Sequence, residues 1–291
     1  MDESLAISVV IPAFNAAETI GAQLAALSRQ EWSGSWEVVI ADNGSTDGTA
    51  SVAAAWKAQL PALRVVPATA RRGAGHARNV AAMHAHGDFL LFVDADDMVE
   101  PGWLGRMADA ARDHALIAGA SREVGRGDGD PRAGLGRPNR WSGVAPSDGF
   151  LDAAASNNLG VRKQLWSAIG GFRESMVASE DTAFCWDAQL QGFSIHRVPD
   201  ALVTYTMRSN LRQLWRQQFR WGVAAVQLYT LYRVHGAPRS STRGGLLRWV
   251  GLVAMAPRML ISAADRRDWV GRAARRCGRL SGSLRFRVLF V

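Results

Sequence analysis

Two stretches, VVIADNGSTDGT at Val38–Thr49 and GDFLLFVDADD at Gly87–Asp97, decide the fold of this 291-residue chain. Each is a run of large apolar residues that ends abruptly in carboxylates. A buried strand that ends in this way delivers its acids to the C-terminal edge of a sheet, which is where open α/β sheets bind ligands. We therefore expect Asp42, Asp94 and Asp96 to lie along one edge of the same sheet.

Further β-type runs alternate with helical patterns on both sides of these stretches. Strands are predicted at Ala6–Ile11, Trp36–Ala41, Leu63–Pro67, Phe89–Val93 and Ile117–Val124, with two late strands at Phe193–Val198 and Ala201–Thr206. Helices are predicted at Ala16–Arg29, at Thr46–Leu60 with Thr46 as N-cap, from about Pro101 to His114, at Thr182–Gln191 and at Leu211–His235. This alternation is typical of a mainly parallel sheet with helices on both faces.

The same strings carry a family resemblance. The chain contains, in order, ISVVIPAFN at Ile7–Asn15, DNGSTDGT at Asp42–Thr49, GAGHARN at Gly73–Asn79, VDADD at Val93–Asp97, NLGVR at Asn158–Arg162, GGF at Gly170–Phe172 and the pair Glu180–Asp181. Together they resemble the family 2 glycosyltransferases of the GT-A fold, over about residues 5–235. The resemblance implies an α/β protein with a GT-A (Rossmann-like), mainly parallel sheet flanked by helices.

The resemblance also implies an activity. Enzymes of this kind transfer a sugar from a nucleotide diphosphate donor, with inversion, to a hydroxyl acceptor such as a sugar or a lipid-linked sugar. Polysaccharide, glycolipid or glycoconjugate synthesis is the implied setting. Residues 1–235 would form the catalytic domain, and residues 236–291 a helical C-terminal extension.

The Asp-Ala-Asp sequence, a DXD motif, is the predicted metal site. A pair of carboxylates at a strand end suits Mg²⁺ or Mn²⁺, which offsets the charge that develops on a diphosphate leaving group. The resemblance implies that Asp96 is the direct ligand and that Asp94 lies nearer the ribose or a metal-bound water. A polar strand-end turn without a metal is the structural alternative, and Asp97 is a candidate cap for the following helix.

Asp42 is the predicted base-binding residue. A carboxylate only accepts hydrogen bonds, so it suits the ring N–H of uracil or thymine and favours a UDP- or dTDP-sugar. The family pattern places the donor nucleotide against Pro12, Ala13, Phe14, Asn15, Gly73, Arg78, Asp94 and Ala95. The glycine-rich turn before Arg78 allows close approach of phosphate to the backbone. Arg71 and Arg72 beside it are also typical of a solvated surface.

Glu180 and Asp181 are the predicted catalytic pair. An inverting transfer needs a base that takes the proton of the acceptor hydroxyl as the oxygen attacks the anomeric carbon. The resemblance implies that Asp181 is this base and that Glu180 helps to place the acceptor. The alternative interpretation is an ordinary helix N-terminus, where acids interact favourably with the helix dipole.

The string QQFRW at 217–221 matches the QxxRW pattern of processive family members. By that resemblance Gln217, Arg220 and Trp221 lie near the diphosphate or the acceptor. A buried aromatic helix explains the string equally well, and the chain lacks the several membrane spans of those synthases. Among six histidines, which form no compact metal motif, His196 is a further candidate for contact with the diphosphate.

Charge is distributed unevenly along the chain. The formal net charge is +8. Residues 239–291 hold 12 Arg and only Asp265 and Asp268 as acids, so they carry +10 and the remainder carries −2. Residues 244–264 are apolar but interrupted by Arg248, Pro257 and Arg258. These features predict an extension that lies on an anionic membrane surface rather than spanning it; packing on the catalytic domain is the alternative.

Composition and termini indicate the setting. The chain begins with acids and lacks the basic start of a signal peptide, and Cys185 and Cys277 form no metal-binding or disulfide framework. A cytoplasmic protein is predicted, peripheral at the inner face of the plasma membrane if the extension meets lipid. The segment 125–149, rich in Gly and Pro, is predicted to be a lid or a surface loop beside the acceptor cleft.

Three alternatives to an active glycosyltransferase remain, and the intact Asp-Ala-Asp and Glu-Asp pairs argue against the first, a degenerate and non-catalytic relative. A sugar nucleotidyltransferase would need a stronger Gly- and Lys-rich triphosphate loop near the N-terminus than residues 13–20 provide. A non-catalytic nucleic-acid-binding protein would use the Arg-rich tail, but the tail contains no recognised module. No nucleic-acid partner is therefore expected.

Overall fold

The computed structural model describes residues 5–125, 145–207 and 210–290. Its strands are β1 Ile7–Ala13, β2 Trp36–Asp42, β3 Arg64–Pro67, β4 Phe89–Phe92, β5 Met98–Val99, β6 Leu116–Gly125, β7 Ala145–Pro146, β8 Asp152–Ala153, β9 Leu159–Arg162 and β10 His196–Met207. Its helices are α1 Ile20–Leu27, α2 Thr49–Ala54, α3 Ala74–His84, α4 Trp103–Asp113, α5 Lys163–Ile169, α6 Glu180–Leu190, α7 Leu211–Tyr232, α8 Thr242–Ala254 and α9 Ala263–Arg285.

Eight strands form one sheet in the order β3-β2-β1-β4-β9-β6-β10-β5. Strands β1, β2, β3 and β4 pair in parallel, and so do β6 and β10. Strand β9 runs antiparallel between β4 and β6, and β5 is antiparallel to β10. The predicted mainly parallel sheet is confirmed. Because β9 reverses direction, β6 and β10 run the same way as β4, and the C-terminal ends of these strands share one edge.

Helices cover both faces of the sheet, as the alternation predicts. One core contains Ile11, Ile40 and Leu91 from the sheet, and Leu24 and Trp103 from helices on its first face. A second core lies on the other face, where α3, α5 and α6 supply Ala81, Trp166 and Phe184 against Val10 and Phe92. Successive residues of each central strand alternate between the two cores, which is the period-2 pattern of a strand buried on both sides.

Three local predictions were wrong. The helix predicted at Thr46–Leu60 begins at Thr49 and ends at Ala54, and its N-cap is Gly48, not Thr46. The two late strands are one strand, β10, with an irregular register between Val198 and Leu202. Asp97 does not cap α4, whose N-cap is Gly102; its carboxylate instead accepts a hydrogen bond from Asn157 Nδ2 at 2.7 Å. Most of the predicted lid at 125–149 lies outside the described residues.

The residues after 235 pack on the preceding part of the chain through α9. Helices α7 and α9 cross closely because glycines remove the side chains at the contact. A Cβ on Gly222 would lie 2.1 Å from the carbonyl oxygen of Arg275, and one on Gly278 would lie 2.1 Å from that of Phe219. Phe290, near the end of the chain, is buried with Val226 of α7. The packing alternative is therefore correct for α9.

Helix α8 differs from α9 in exposure. Its outward positions are apolar and open to solvent, with Leu246 68%, Leu247 71%, Val250 59% and Val253 71% exposed. Leu252 is buried on the opposite side, where its carbonyl oxygen accepts a hydrogen bond from Trp269 Nε1 of α9 at 2.8 Å. Within the described chain, none of the helices has the length and hydropathy that a bilayer crossing requires.

The close helix crossing gives a stability prediction. Gly278→Ala is expected to lower the free energy of unfolding by about 1–3 kcal/mol, since the added methyl group overlaps the backbone of α7. Gly271→Ala on the same helix is the matched control, because its Cβ would lie 3.7 Å from Gln218 Cγ and Ala favours the helix by about 1 kcal/mol. Urea unfolding measures both. Equal stability of the two variants would contradict the close crossing.

Candidate functional site

The acidic strand ends meet at one edge of the sheet, as expected. Strands β1, β2 and β4 are parallel neighbours, so the segments that follow Ala13, Asp42 and Phe92 lie side by side. A cleft of about 1040 Å³ opens there. Its lining includes Asp96, a predicted metal ligand, and every residue predicted to contact the donor nucleotide except Asp42: Pro12, Ala13, Phe14, Asn15, Gly73, Arg78, Asp94 and Ala95.

Asp42 ends β2 and does not itself line this cleft, although the next residue, Asn43, does. Oδ1 of Asp42 accepts a hydrogen bond from the backbone N–H of Ser45 at 3.2 Å. Asn15 holds the adjacent loops together, because its N–H donates to Ser45 Oγ at 2.9 Å and its Oδ1 accepts from the N–H of Thr46 at 2.9 Å. The loops after β1 and β2 therefore form one connected wall.

Asn43 is a site residue whose role sequence reasoning missed. Its Nδ2 donates to the carbonyl oxygen of Arg71 at 2.7 Å, and its Oδ1 accepts from the N–H of Gly73 at 2.9 Å. Arg72 donates to the carbonyl oxygen of Asn43 and stacks on the Phe14 ring, 4.5 Å from its centroid. An amide can both donate and accept, whereas a carboxylate only accepts, so Asn is suited to hold this glycine-rich turn.

A second cleft, of about 1030 Å³, continues from the first. Both are lined by Gly73, Arg78, Asp94, Asp96 and Arg220. The second also contains the predicted catalytic pair and the α7 candidates: Glu180, Asp181, Gln217, Arg220 and Trp221. The fold thus brings the donor candidates and the catalytic candidates to one continuous depression.

Arg78 joins the two halves of this depression. It is 4% exposed, and its guanidinium donates to Asp94 Oδ1 at 2.7 Å and to Glu180 Oε1 at 2.8 Å. Burial alone would lower the pKa of Arg78, but the two carboxylates outweigh it and hold the pKa above its ordinary value. The residue is therefore a fixed cation between the strand that carries the DXD motif and helix α6.

Asp181 is held by the backbone and side chain of Ser156. Its Oδ2 accepts from the Ser156 N–H at 3.1 Å and from Ser156 Oγ at 3.4 Å. Burial raises the pKa of Asp181, and the neighbouring charge of Glu180 raises it further, against a lowering effect of Arg78. A carboxyl with a raised pKa in a cleft is a better proton acceptor than an ordinary Asp.

Helix α7 closes the side of the second cleft. Arg220 anchors it, because Nη2 donates to the carbonyl oxygen of Val177 at 2.6 Å and Nε to the same atom at 3.2 Å. Trp221 also lines the cleft. The guanidinium of Arg275 lies over its ring, at 5.2 Å from the ring centroid. The QxxRW side chains therefore face the site and are not core aromatics.

His196 lies away from this site. It begins β10, and its ring stacks on that of His114 with centroids 3.6 Å apart. Strand β10 is parallel to β6, so its start lies at the edge of the sheet opposite the clefts. The suggested contact of His196 with the diphosphate is therefore wrong.

The metal candidates are two carboxylates, Asp94 and Asp96. Among the described residues, no group of three or more His, Cys, Asp or Glu side chains could hold an ion. A divalent cation that bridges a diphosphate is commonly held by one or two carboxylates, with phosphate oxygens and waters as its other ligands. The donor set at this strand end fits such an ion and does not fit a closed all-protein metal site.

Comparison with known proteins identifies the family. The sequence model of glycosyl transferase family 2 matches residues 8–172, more than half of the chain. The chain belongs to glycosyl transferase family 2. A second model, glycosyl transferase family group 2, matches residues 147–270 and so extends into α9.

Several relatives of this glycosyltransferase are similar over most of its length. It is 26% identical to glycosyltransferase AglE of Haloferax volcanii over 240 residues, which is 78% of this chain and 75% of AglE. It is 32% identical over 208 residues to the poly(ribitol-phosphate) β-N-acetylglucosaminyltransferase TarS of Staphylococcus aureus, which is 69% of this chain but 35% of TarS. The chain also spans 40% of the pre-mycofactocin glycosyltransferase of Mycobacterium tuberculosis.

Solved structures confirm the GT-A fold of this glycosyltransferase. The mannosyltransferase PcManGT of Pyrobaculum calidifontis, in complex with GDP-Man and Mn²⁺, superposes with a TM-score of 0.68 at 18% identity, over 97% of this chain and 88% of PcManGT. Residues 1–349 of TarS in complex with UDP superpose with a TM-score of 0.57 at 19% identity, over 97% and 91% of the two chains.

Proposed function

We propose that this glycosyltransferase transfers a sugar from a nucleotide diphosphate donor to a hydroxyl acceptor, with inversion and with a divalent metal. The observation that carries the proposal is the buried Arg78, which links Asp94 of the DXD motif to Glu180 beside Asp181. Asp94, a proposed metal ligand, and Glu180, the neighbour of the proposed base, thus bind the same cation, which supports the proposal. A nucleotidyltransferase has no need of a base in that position, and the Arg-rich tail plays no part in this arrangement.

The residues on the donor side suit a nucleotide diphosphate. Asp94 and Asp96 would hold Mg²⁺ or Mn²⁺, which when bound offsets the charge of the leaving diphosphate. The turn held by Asn43 presents the backbone of Gly73 at the start of α3, where a phosphate is favoured. PcManGT, which was solved with GDP-Man and Mn²⁺, and TarS, which was solved with UDP, support a donor of this class.

Asp181 is the proposed base on the acceptor side. Its carboxylate accepts the proton of the acceptor hydroxyl while that oxygen bonds to the anomeric carbon and the carbon–phosphate oxygen bond breaks. Ser156 fixes the orientation of the carboxylate through its N–H, and burial together with the negative charge of Glu180 keeps the pKa of Asp181 raised. Trp221 offers an aromatic face to the acceptor within the same cleft.

The nucleotide base gives a direct test of the donor proposal. We expect UDP or dTDP to bind more tightly than GDP in the presence of Mn²⁺, because the Asp42 carboxylate accepts a hydrogen bond from the pyrimidine imide N–H. Asp42→Ala is expected to weaken UDP binding about tenfold, the value of one charge-assisted hydrogen bond, and to leave the metal dependence intact. Titration calorimetry measures each affinity.

This titration has one control variant and two outcomes that would contradict the proposal. Asp113→Asn removes an acid from the exposed end of α4, outside the cleft, and is expected to bind UDP as the wild type does. Tighter binding of GDP than of UDP by the wild-type chain would contradict the base assignment. Metal-independent binding of every nucleotide would contradict the wider proposal.

Helix α8 supports peripheral attachment to an anionic membrane. Its outward side chains are apolar, and Leu260 and Ile261, which follow α8 in the chain, are 86% and 75% exposed. Arg243 and Arg248 on the same helix are exposed and can reach lipid phosphates while the apolar side chains enter the interface. An enzyme placed in this way would meet a lipid-linked acceptor at its own surface.

Vesicle co-sedimentation tests this attachment. The double variant Leu246→Ser/Leu247→Ser is expected to bind vesicles of phosphatidylglycerol about 30-fold more weakly, since each Leu contributes on the order of 1 kcal/mol at the interface. The matched control Met83→Ser/Val234→Ser alters two apolar residues that are 62% and 79% exposed elsewhere, and should bind normally. Failure of the wild type to sediment at low salt would overturn the attachment.

A further inference from the structure

A separate small cavity lies between α8 and α9, outside the two clefts. It has a volume of about 170 Å³. Its lining contains Trp249 and five arginines: Arg248, Arg272, Arg275, Arg276 and Arg279. Four of these arginines come from α9. Three of them follow Arg272 by three, four and seven residues, so all four share one face of that helix. Nothing in the proposed transfer reaction uses this concentration of positive charge.

The described carboxylates neutralise only part of this charge. Arg272 pairs with Asp268 at 2.8 Å, and Arg279 pairs with Asp148 at 3.1 Å. In the described part of the chain, these are the only two carboxylates within 4.0 Å of the five guanidinium groups. Among the described residues, five positive charges against two negative ones leave three without a counter-charge. Arginines crowded in this way repel one another unless an anion lies between them.

Some of the hydrogen-bonding capacity is also unused. Within the described residues, Nη1 of Arg276 and Nε of Arg279 are buried and have no hydrogen-bond partner. A buried donor without an acceptor costs about 1–3 kcal/mol, and more when it is charged. Burial lowers the pKa of Arg276 and of Arg279, and neighbouring arginines, Arg248 among them, lower it further. Both observations indicate a missing acceptor with negative charge.

We propose that this cavity, the arginine pocket, binds a phosphate or diphosphate group. Guanidinium groups form paired hydrogen bonds with phosphate oxygens, and several of them around one cavity match a multiply charged tetrahedral anion. The cavity has room for several water molecules and therefore for one such group. A nucleic-acid backbone requires an extended open groove, which a cavity between two packed helices does not provide.

The pocket is connected to both neighbouring surfaces. Arg275 donates to Gln218 Oε1 at 3.1 Å and lies over the ring of Trp221, so a bound anion would contact the arginine that supports the acceptor cleft. Arg248 and Trp249 come from α8, whose opposite side is exposed and apolar. The phosphate can therefore belong to an anionic lipid headgroup or to a free phosphate compound. Phosphate binding in the arginine pocket does not depend on the identity of the sugar donor.

Thermal unfolding of the full chain tests the pocket. With EDTA present and ionic strength matched by sodium chloride, pyrophosphate at ten times its Kd is expected to raise the Tm of the wild type by about 2–4 °C. Arg276→Gln is expected to lose this increase. Without pyrophosphate the same variant should melt at or above the wild-type Tm, because one unbalanced charge is gone. A purely structural Arg276 would instead give a lower Tm.

A control variant and three contradicting outcomes complete the test with pyrophosphate. Arg243→Gln removes the same charge from the exposed start of α8 and should keep the full response to pyrophosphate. Equal stabilisation of wild type and Arg276→Gln, or none in either, overturns the proposal. So does Arg276-dependent binding of a single-stranded oligonucleotide without a response to pyrophosphate.

Vesicles of phosphatidate then distinguish the two sources of phosphate. If Arg276→Gln loses vesicle binding far more than Arg243→Gln does, the pocket takes a lipid headgroup. If both variants bind vesicles equally while only Arg276→Gln has lost the response to pyrophosphate, the pocket takes a free phosphate compound. Because these measurements need neither donor nor metal, their outcome is separate from that of the transfer reaction.

Discussion

Asp181→Asn is expected to lower kcat for sugar transfer by about 10²–10⁴-fold, the usual contribution of a general base. The amide keeps an oxygen that can accept the Ser156 N–H, so the site should stay in place. Binding of nucleotide with Mn²⁺ should be unchanged, because the proposed role of Asp181 is to take a proton from the acceptor. Steady-state kinetics and calorimetry separate the two effects.

The raised pKa of Asp181 also predicts how activity and stability depend on pH. Burial and Glu180 raise the pKa of Asp181, so the acidic limb of wild-type kcat/KM should lie above the ordinary pKa of an Asp. An acid with a raised pKa in the folded state destabilises the protein as pH rises from its unfolded pKa through its folded pKa. At neutral pH, Asp181→Asn removes this cost and should melt at or above the wild-type Tm. Full activity in this variant would assign the base elsewhere.

Arg78→Met is expected to lower both stability and activity. Removing the cation leaves Asp94 and Glu180 facing each other across a buried position, and breaking a buried pair in this way costs about 3 kcal/mol or more. The Tm should fall by roughly 6–12 °C. Because Arg78 lowers the pKa of Asp181, its loss should also move the acidic limb of kcat/KM to higher pH.

Arg64→Met is the matched control for Arg78. Arg64 forms a 2.6 Å ion pair with the mostly buried Glu37, which also accepts a hydrogen bond from Ser8 Oγ, away from the cleft. Its loss should lower stability in the same direction but leave the pH profile of transfer in place. If the pH profile moves equally in both variants, the shift reports general destabilisation and not the charge beside Asp181.

Sequence patterns predicted which carboxylates lie along the sheet edge, but not the residues that support the loops around them. Asp42, Asp94 and Asp96 end strands, and parallel pairing alone places such residues along one edge. No comparable sequence pattern indicated the role of Asn43. Its role depends on carbonyl and N–H groups of Arg71 and Gly73, which are about 30 residues away and meet it only after the sheet has formed.

The position of the C-terminal extension likewise depended on the folded chain. Its composition allowed either membrane contact or packing on the domain, because an amphipathic basic helix suits both. Gly222 and Gly278 decided the matter for α9, but the significance of two glycines 56 residues apart appears only when their helices cross. The outer face of helix α8 is exposed because only its inner face packs against α9.

By itself the sequence determined the family, the central sheet and the edge at which its acids collect, since these follow from local periodicity and from where strands end. Only the tertiary structure decided that Arg78 joins Asp94, 16 residues away, to Glu180, 102 residues away. It also decided that four arginines of α9 meet Arg248 of α8 around one cavity. The physical reason is that a charge interacts through space: its pKa and its partners are set by distance and burial, which the order of residues does not specify.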